Sequence, residues 1–255
     1  MDFLARLKQS PLVFDGAMGT EIYGRGVFIQ ACYDELSVSN PRLILQIHRD
    51  YIEAGAQVIE TNTFGANPIK LRTYGLAERT AEINRAGVKL AREAAAASGA
   101  EVFVAGAVGP CTESNQRMPV AFAAEVEAAF RAQMEALAAE EVDLFLLETF
   151  TDLNELLLAA RVAKEFGGPV LASFAVSQRG ETALGTCAES MTSALDEDPN
   201  VDVVGINCGT GPSGVFDALQ PVLPFTRKPV VVMPNAGYPR EISGRVLYMT
   251  SPEYF

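Results

Sequence analysis

The chain has 255 residues, of which 49% are hydrophobic, and its formal net charge is −12 at pH 7. This length and composition allow one large domain with a substantial core, while the acidic charge argues against nucleic acid, which basic patches bind. No apolar run reaches the roughly 20 residues of a membrane span, and the N-terminal residues lack the apolar centre of a signal peptide, so we expect a cytoplasmic protein without membrane contact.

A pattern of apolar run, polar turn and amphipathic helix repeats along the chain. A short apolar run that is bounded by turn residues is typical of a buried strand. The predicted strands lie at residues 12–14, 57–59, 102–108, 144–147, 170–176, 203–206 and 230–233.

The predicted helices carry start and stop signals. Asn40 and Pro41 are typical of an N-cap and a first turn, and Asp152 with Glu155 resembles a capping box. The predicted helices run from Pro41 to near Gly55, from about Ala77 to near Gly99, over about 121–140, and onward from about 152, 189 and 212.

Strands that alternate with helices predict βαβ units and a parallel sheet, and seven such units indicate an α/β fold of the (β/α)8 TIM-like barrel type. The rival, a doubly wound sheet, usually carries a Gly-x-Gly-x-x-Gly turn after its first strand, and residues 15–20 lack that spacing. A polar hairpin-like segment at 238–248 and a helix start at 251–253 end the sequence.

An open parallel barrel would expose two unpaired strand edges, which native proteins avoid. We therefore expect residues 1–255 to be a single barrel domain that lacks its last helix-strand-helix portion. A partner or another segment that fills the gap is the alternative.

Polar residues follow the predicted strands at matched points, and side chains at the carboxyl ends of barrel strands face the active site. Carboxylates there can bind an ammonium group or act as acid and base, and a thiolate suits zinc. The residues at these positions are Asp15, Glu60, Asn62, Glu148, Asn207, Cys208 and Asn235.

Two further cysteines and the sole histidine receive structural interpretations. Cys111 and Cys187 lie in loops on the same face and could complete a metal site, but we expect both to serve in loop packing. His48 lies four residues from Ile44 and from Ile52, so it shares the apolar stripe of a helix. With no other histidine, a Ser–His–Asp triad is not expected.

Six segments, in chain order, resemble the homocysteine S-methyltransferase family. The sequence is similar to the homocysteine-binding barrel of cobalamin-dependent methionine synthases and of methyltransferases fused to methylenetetrahydrofolate reductase, over essentially the whole chain. The segments are 15–20, 60–64, 108–110, 148–150, 205–208 and 234–237.

The resemblance implies zinc-dependent transfer of a methyl group to the thiolate of L-homocysteine, giving L-methionine. It makes Cys208 the first zinc ligand and a catalytic residue, and it places two further cysteine ligands on an eighth strand beyond Phe255. Asn235 matches a position that can approach the metal when substrate is absent. The implied substrate-binding residues are Asp15 and Glu148 for the amino group, Gly16 and Thr149 for backbone contacts, and Asn207.

The resemblance leaves four methyl donors open: methylcobalamin, betaine, S-methylmethionine and folate-derived compounds. Of these, we expect methylcobalamin or a folate-derived donor, presented by cobalamin, folate or reductase domains of a longer protein. Two alternatives stay open: a magnesium-dependent barrel lyase or aldolase that uses Asp15, Glu60 and Glu148, and a barrel fragment that folds but cannot bind metal.

Overall fold

A computed structural model describes residues 2–236, 239–242, 245–248, 251 and 253. Within this part of the chain, one sheet contains six parallel strands in sequential order. They are β1 (Val58–Glu60), β2 (Phe103–Val108), β3 (Leu144–Phe150), β4 (Val170–Phe174), β5 (Val203–Asn207) and β6 (Val230–Met233). The predicted first strand is reduced to a single parallel bridge from Phe14 to Val58, at the free edge of β1.

Within the described residues, four α-helices precede β1 and six others lie between consecutive strands, as the alternating pattern predicts. They are α1 (Phe3–Leu7), α2 (Met18–Gly24), α3 (Leu36–Ser39), α4 (Pro41–Glu53), α5 (Pro68–Arg72), α6 (Thr80–Ser98), α7 (Ala123–Ala138), α8 (Leu153–Glu165), α9 (Ala188–Glu197) and α10 (Pro212–Val222). The six predicted helices are confirmed as α4 and α6–α10, whereas α1, α2, α3 and α5 were not predicted.

The helix-start signals are confirmed in position but not in every contact. Asn40 precedes α4, yet its side chain makes no cap hydrogen bond. The Asp152 side chain accepts a hydrogen bond from the Asn154 N–H, as an N-cap should. The capping box is wrong, because the Glu155 carboxylate accepts hydrogen bonds from the backbone N–H groups of Cys111 and Thr112 instead.

Alternate residues of each strand pack on opposite sides of the sheet. Leu144 and Leu146 belong to an inner cluster that includes residues from all six strands, while Phe145 and Leu147 pack against the outer helices. A sheet whose strands all contribute to one inner cluster is curled, so the predicted barrel-like α/β fold is confirmed. Phe3 of α1 joins this inner cluster and is 1% exposed.

Three further predictions concern the periphery of the fold. His48 is fully buried on α4, as its place in the apolar stripe predicts. The hairpin-like segment is confirmed as an antiparallel pair, β7 (Pro239–Ile242) and β8 (Arg245–Tyr248). The predicted helix start at 251–253 includes Pro252, which lies outside the described residues. In the described residues, no helix has the length and apolar character that crossing a bilayer requires.

Candidate active site

The polar residues predicted at strand ends lie at one end of the curled sheet. Asp15 follows the bridge to β1, Glu60 ends β1, and Asn207 ends β5. Because the strands are parallel, their carboxyl ends share one edge. The other predicted residues at this edge are Gly16 next to Asp15, Glu148 and Thr149 near the end of β3, Cys208 directly after β5, and Asn235 after β6.

Three partly buried carboxylates lie close enough to influence one another's pKa. The Asp15 Oδ2 atom accepts a hydrogen bond from the Glu60 backbone N–H at 2.9 Å, and its Oδ1 atom is buried without a partner among the described residues. Burial, followed by the Glu148 charge, raises the pKa of Asp15 and of Glu60 well above their usual values. Burial also raises the pKa of Glu148 to about 7.

No lysine or arginine within the described residues contributes to the pKa of Asp15, Glu60 or Glu148. Carboxylates that are partly buried without a cationic partner ionise with difficulty, because each charge is partly removed from water and repels its neighbours. A bound cation would relieve both costs. The electrostatics of this edge therefore favour a positively charged group, such as an ammonium, as the ligand.

Asn207 joins the end of β5 to the end of β3. Its Oδ1 atom accepts a hydrogen bond from the Thr149 backbone N–H at 2.9 Å. Its Nδ2 atom donates to the Thr149 Oγ1 atom at 2.7 Å and to the Cys208 Sγ atom at 3.4 Å. The amide of Asn207 is thus engaged with the protein itself, which favours a positioning role over the substrate contact that the resemblance implies.

Two of the residues that Asn207 contacts, Thr149 and Cys208, have strained backbones. Thr149 has φ +63° and Cys208 has φ +56°, values in the left-handed region that non-glycine residues rarely occupy. The pairing of β3 with β4 is irregular between Leu147 and Phe150, so Thr149 sits at a bulge. Strain of this kind clusters at functional sites, where the surroundings must hold it in place.

The Cys208 thiol lies beside the carboxylates. Burial and the charge of Glu148 raise its pKa, and hydrogen bonds from Thr149 and Asn207 lower it. The Cys208 N–H donates to the Met233 carbonyl at 3.0 Å. The Asn235 N–H donates to the Thr210 carbonyl at 3.1 Å, which places the segment of Asn235 beside the turn after β5.

The described residues do not form a complete metal site. No group of three His, Cys, Asp or Glu side chains among them could hold a metal ion. Cys111 is buried in the outer core, so its predicted packing role is confirmed. The same prediction is wrong for Cys187, which is exposed and contacts the Ser190 hydroxyl at 3.0 Å.

Asn62, which was predicted to face the site, has a different role. Asn62 directly follows the last pairs of β1, but its Nδ2 atom donates to the Tyr33 carbonyl at 2.7 Å and to the Ser37 hydroxyl at 3.1 Å. Asn62 therefore anchors the loop before α3, and the expectation that it faces the site is wrong.

Sequence reasoning missed two residues near the site. Burial raises the pKa of Asp34 to about 6, and the charge of Asp34 raises the pKa of Glu148. Asp34 lies in a loop, so no strand end pointed to it. The Tyr51 hydroxyl donates to the Ala17 carbonyl at 3.1 Å and ties the loop that carries Gly16 to α4. Tyr51 shares the helical stripe of α4, which gave no sign of this contact.

Comparison with known proteins identifies the family. Residues 12–255 match the profile described as Homocysteine S-methyltransferase. Methionine synthase of Mycobacterium tuberculosis is 34% identical over 253 residues, which cover 93% of this chain and 21% of that protein. Methionine synthase of Mycobacterium leprae is 32% identical over 256 residues, with the same two coverages. The chain thus spans about a fifth of the length of these curated relatives.

Solved structures agree with the sequence match. The metallated form of the homocysteine methyltransferase MmuM from Escherichia coli has a TM-score of 0.80 and 29% identity, and the alignment covers 91% of this chain and 86% of that chain. The apo form has a TM-score of 0.71 and 28% identity, with coverages of 92% and 86%. The resemblance found in the sequence is confirmed: the chain belongs to the homocysteine S-methyltransferase family.

Proposed function

We propose that this protein binds L-homocysteine at the carboxyl end of its sheet and transfers a methyl group to the sulfur, giving L-methionine. The observation that carries the proposal is the set of partly buried carboxylates Asp15, Glu60 and Glu148 beside Cys208, without a cationic partner in the described residues. The ammonium group of homocysteine supplies the positive charge that these residues favour. Membership of the family supports this choice of substrate.

In this proposal Asp15 and Glu148 hold the ammonium group. Gly16 is exposed beside Asp15, so its backbone is accessible to a ligand. The N–H of Thr149 is already donated to Asn207. Any backbone contact from Thr149 to substrate therefore uses its carbonyl oxygen, which accepts but cannot donate.

The reaction forms a bond between the homocysteine sulfur and the methyl carbon. The sulfur must first lose its proton, because a thiolate is the nucleophile. Its electron pair then attacks the methyl carbon, and the donor leaves with the electrons of the broken bond. The carboxylates fix the ammonium end of the substrate, so the sulfur is oriented before a donor arrives.

We propose that Cys208 is one ligand of a zinc ion whose other protein ligands come from outside the described residues. When bound, zinc lowers the pKa of a coordinated thiol and so supplies the thiolate. Asn235, beside the turn that carries Cys208, is proposed as a neighbour of the metal. The described residues do not complete the metal site. The roles proposed above for Asp15, Glu148 and Thr149 therefore do not depend on the metal.

The donor and the cellular context are also proposals. Methylcobalamin or a folate-derived donor would be presented by other domains of a longer protein, since the chain matches 21% of the mycobacterial methionine synthases. We further propose that residues 1–255 form one domain and work in the cytoplasm. The magnesium-dependent lyase or aldolase has no support from the geometry, because Asp15, Glu60 and Glu148 form no group within the described residues that could hold a metal ion.

Titration calorimetry with two ligands tests the proposal. L-homocysteine and its deaminated analogue γ-mercaptobutyrate differ only in the ammonium group. We expect the protein to bind homocysteine more tightly, and Glu148→Gln to weaken homocysteine binding by about tenfold or more, since hydrogen bonds to charged groups contribute about 1.5–3 kcal/mol. The variant should leave binding of the analogue and zinc content unchanged.

Glu135→Gln is the matched control, because Glu135 is exposed on α7, away from the strand ends. It should not alter the affinity for either ligand. Equal binding of homocysteine and the analogue by the unmodified protein would refute ammonium recognition. If Glu148→Gln weakens both ligands and lowers zinc content, Glu148 is a structural residue. Failure of zinc and homocysteine to bind at all would favour the incomplete-fragment alternative.

A further inference from the structure

The buried hydroxyl of Ser173 contacts the Asn207 amide from inside the curled sheet. Ser173 lies on β4 and is fully buried. Its Oγ atom donates to the Asn207 Oδ1 atom at 2.7 Å. Leu171 and Val203 belong to the inner cluster. Since side chains alternate along a strand, Ser173 faces the interior one layer closer to the site than Leu171.

The neighbouring strand leaves room for this hydroxyl. Ser173 pairs with Gly205 of β5, and a Cβ atom at Gly205 would lie 2.7 Å from both the Cβ and the Oγ atoms of Ser173. A side chain at position 205 would therefore displace Ser173. An interior layer that could be filled by apolar side chains instead holds one hydroxyl, which is costly to bury unless it is hydrogen-bonded.

The contacts of Asn207 define which way its amide faces. Two donors, the Thr149 N–H and the Ser173 hydroxyl, point at the Oδ1 atom. With Oδ1 held there, the Nδ2 atom faces the Thr149 hydroxyl and the Cys208 sulfur. In the reversed amide, an oxygen would face the sulfur and a nitrogen would face the Thr149 N–H. The Thr149 N–H can only donate, and in the reversed amide the proton of the buried Ser173 hydroxyl would lose the acceptor that it has here, so both groups favour the orientation that gives the sulfur an N–H group.

We propose that Ser173 is a positioning residue that holds the Asn207 amide with its N–H toward the Cys208 sulfur. Ser173 acts through Asn207 and touches neither the sulfur nor the substrate. The chain of contacts crosses three adjacent strands, from β4 to β5 and to β3, and ends at the strained residues Thr149 and Cys208. The importance of this chain for catalysis rests on the proposed function of Cys208, but its existence does not.

The rate of alkylation of Cys208 by iodoacetamide tests this inference without zinc or homocysteine. The reaction is followed at one fixed pH in the presence of EDTA, and peptide mass spectrometry separates Cys208 from the other cysteines. The thiolate reacts, and the Asn207 N–H stabilises it. We expect Ser173→Ala to slow the reaction of Cys208 by about threefold or more, the effect of losing roughly one hydrogen bond.

The Asn207→Asp variant distinguishes a positioning role of Ser173 from a purely structural one. Aspartate places an oxygen toward the sulfur whatever Ser173 does, so this variant should slow alkylation more than Ser173→Ala. In the Asn207→Asp background, adding Ser173→Ala should change the rate little, because there is no amide orientation left to hold. An equal slowing in both backgrounds would overturn the proposal, because Ser173 would then act independently of Asn207.

Two controls keep the result interpretable. Ser37→Ala removes another buried hydroxyl that contacts an asparagine, Asn62, away from the sulfur, and it should not affect Cys208. The exposed Cys187 in every sample should react at an unchanged rate. If Asn207→Asp does not fold, the comparison of Ser173→Ala with Ser37→Ala still tests the proposal. Equal rates of Cys208 alkylation in these two variants would refute the role of Ser173.

Discussion

At the scale of single residues, burial shifts the pKa of acids and of the histidine in opposite directions. Burial raises the pKa of Asp34 to about 6 and that of Glu148 to about 7. Burial lowers the pKa of His48 to about 4. The carboxylates lie at the open end of the sheet, where a ligand can supply charge. His48 lies on α4, and neither of its ring nitrogens is hydrogen-bonded within the described residues. The lowered pKa of His48 therefore makes the free energy of unfolding depend on pH.

The lowered pKa of His48 predicts that the protein loses stability in mild acid. Its pKa is near 6.5 in the unfolded chain and about 4 in the folded protein. Between these values the unfolded chain binds a proton that the folded protein does not, so lowering the pH lowers the free energy of unfolding, by about 3 kcal/mol in total. Urea unfolding of the protein and of His48→Leu across this range measures the effect, since the variant lacks the titrating group.

The difference in unfolding free energy between the two proteins isolates His48 from the carboxylates, whose raised pKa values act in the opposite direction. As the pH falls from about 6.5 to about 4, the free energy of unfolding of the variant should rise relative to that of the unmodified protein. A difference that is constant over this interval would mean that water or a rearranged partner stabilises the protonated ring. His48→Gln, which stays polar but does not titrate, should show the same pH dependence as His48→Leu.

The site was predictable where it follows strands. Glu60 and Asn207 are the last residues of β1 and β5, and an apolar run that stops at a polar residue marks such a position in the sequence. Asp34 was missed because its position depends on how a loop folds back, with its Oδ1 atom accepting from the Gly65 N–H at 2.9 Å. Ser173 was missed because it lies inside an apolar run, where its hydroxyl gave no sign of a partner.

At the scale of elements, length decided which helices could be predicted. Helices such as α6 (Thr80–Ser98) repeat their apolar positions over several turns, and this repetition is visible in the sequence. The helices α1 and α5 have five residues each, too few for a period to show. Glu155 shows a second limit of prediction from sequence. The spacing of a capping box is present, but the Glu155 carboxylate accepts hydrogen bonds from the loop after β2 instead.

The turn after β5 predicts a strict need for glycine at position 209. Gly209 has φ +72°, and a Cβ atom there would lie 2.1 Å from the Val176 carbonyl oxygen. Because Cys208 directly precedes it, any adjustment of this turn displaces the thiol. We expect Gly209→Ala to lower the free energy of unfolding by more than the roughly 1–2 kcal/mol that a left-handed alanine alone costs, and to change the alkylation rate of Cys208.

Gly180→Ala is the control for backbone conformation alone. Gly180 has φ +71°, but a Cβ atom there would meet nothing within 4 Å. Its cost should stay near the conformational value, and the rate at Cys208 should not change. Equal unfolding free energies for the two variants would show that the contact with Val176 relaxes without cost.

At the scale of the whole molecule, the inner cluster links the fold to the site. Residues from all six described strands of the parallel sheet pack together with Phe3 at the amino end of the sheet. The polar residues that carry the proposed function lie at the opposite end. The alternation of strands and helices predicted this architecture. It did not predict that α1 would cover the inner cluster, because a five-residue helix before the first strand is not part of the repeating unit.

This arrangement predicts that stability and ligand binding can be separated. Phe3 is 1% exposed and packs edge-on against Phe103, with 5.7 Å between ring centroids. Phe3→Ala would leave a cavity beneath the strands and should lower the free energy of unfolding by about 3–5 kcal/mol, as urea unfolding can measure. Phe28→Ala is the matched control, because Phe28 is 77% exposed and should contribute little.

The folded fraction of Phe3→Ala should still bind homocysteine with nearly unchanged affinity, because the substitution lies at the other end of the sheet from Glu148 and Cys208. Calorimetry under conditions where the variant is folded provides this measurement. A large loss of affinity in a folded variant would show that the inner cluster transmits strain along the strands to the site. A small loss of stability would instead show that α1 packs too loosely to support the curled sheet.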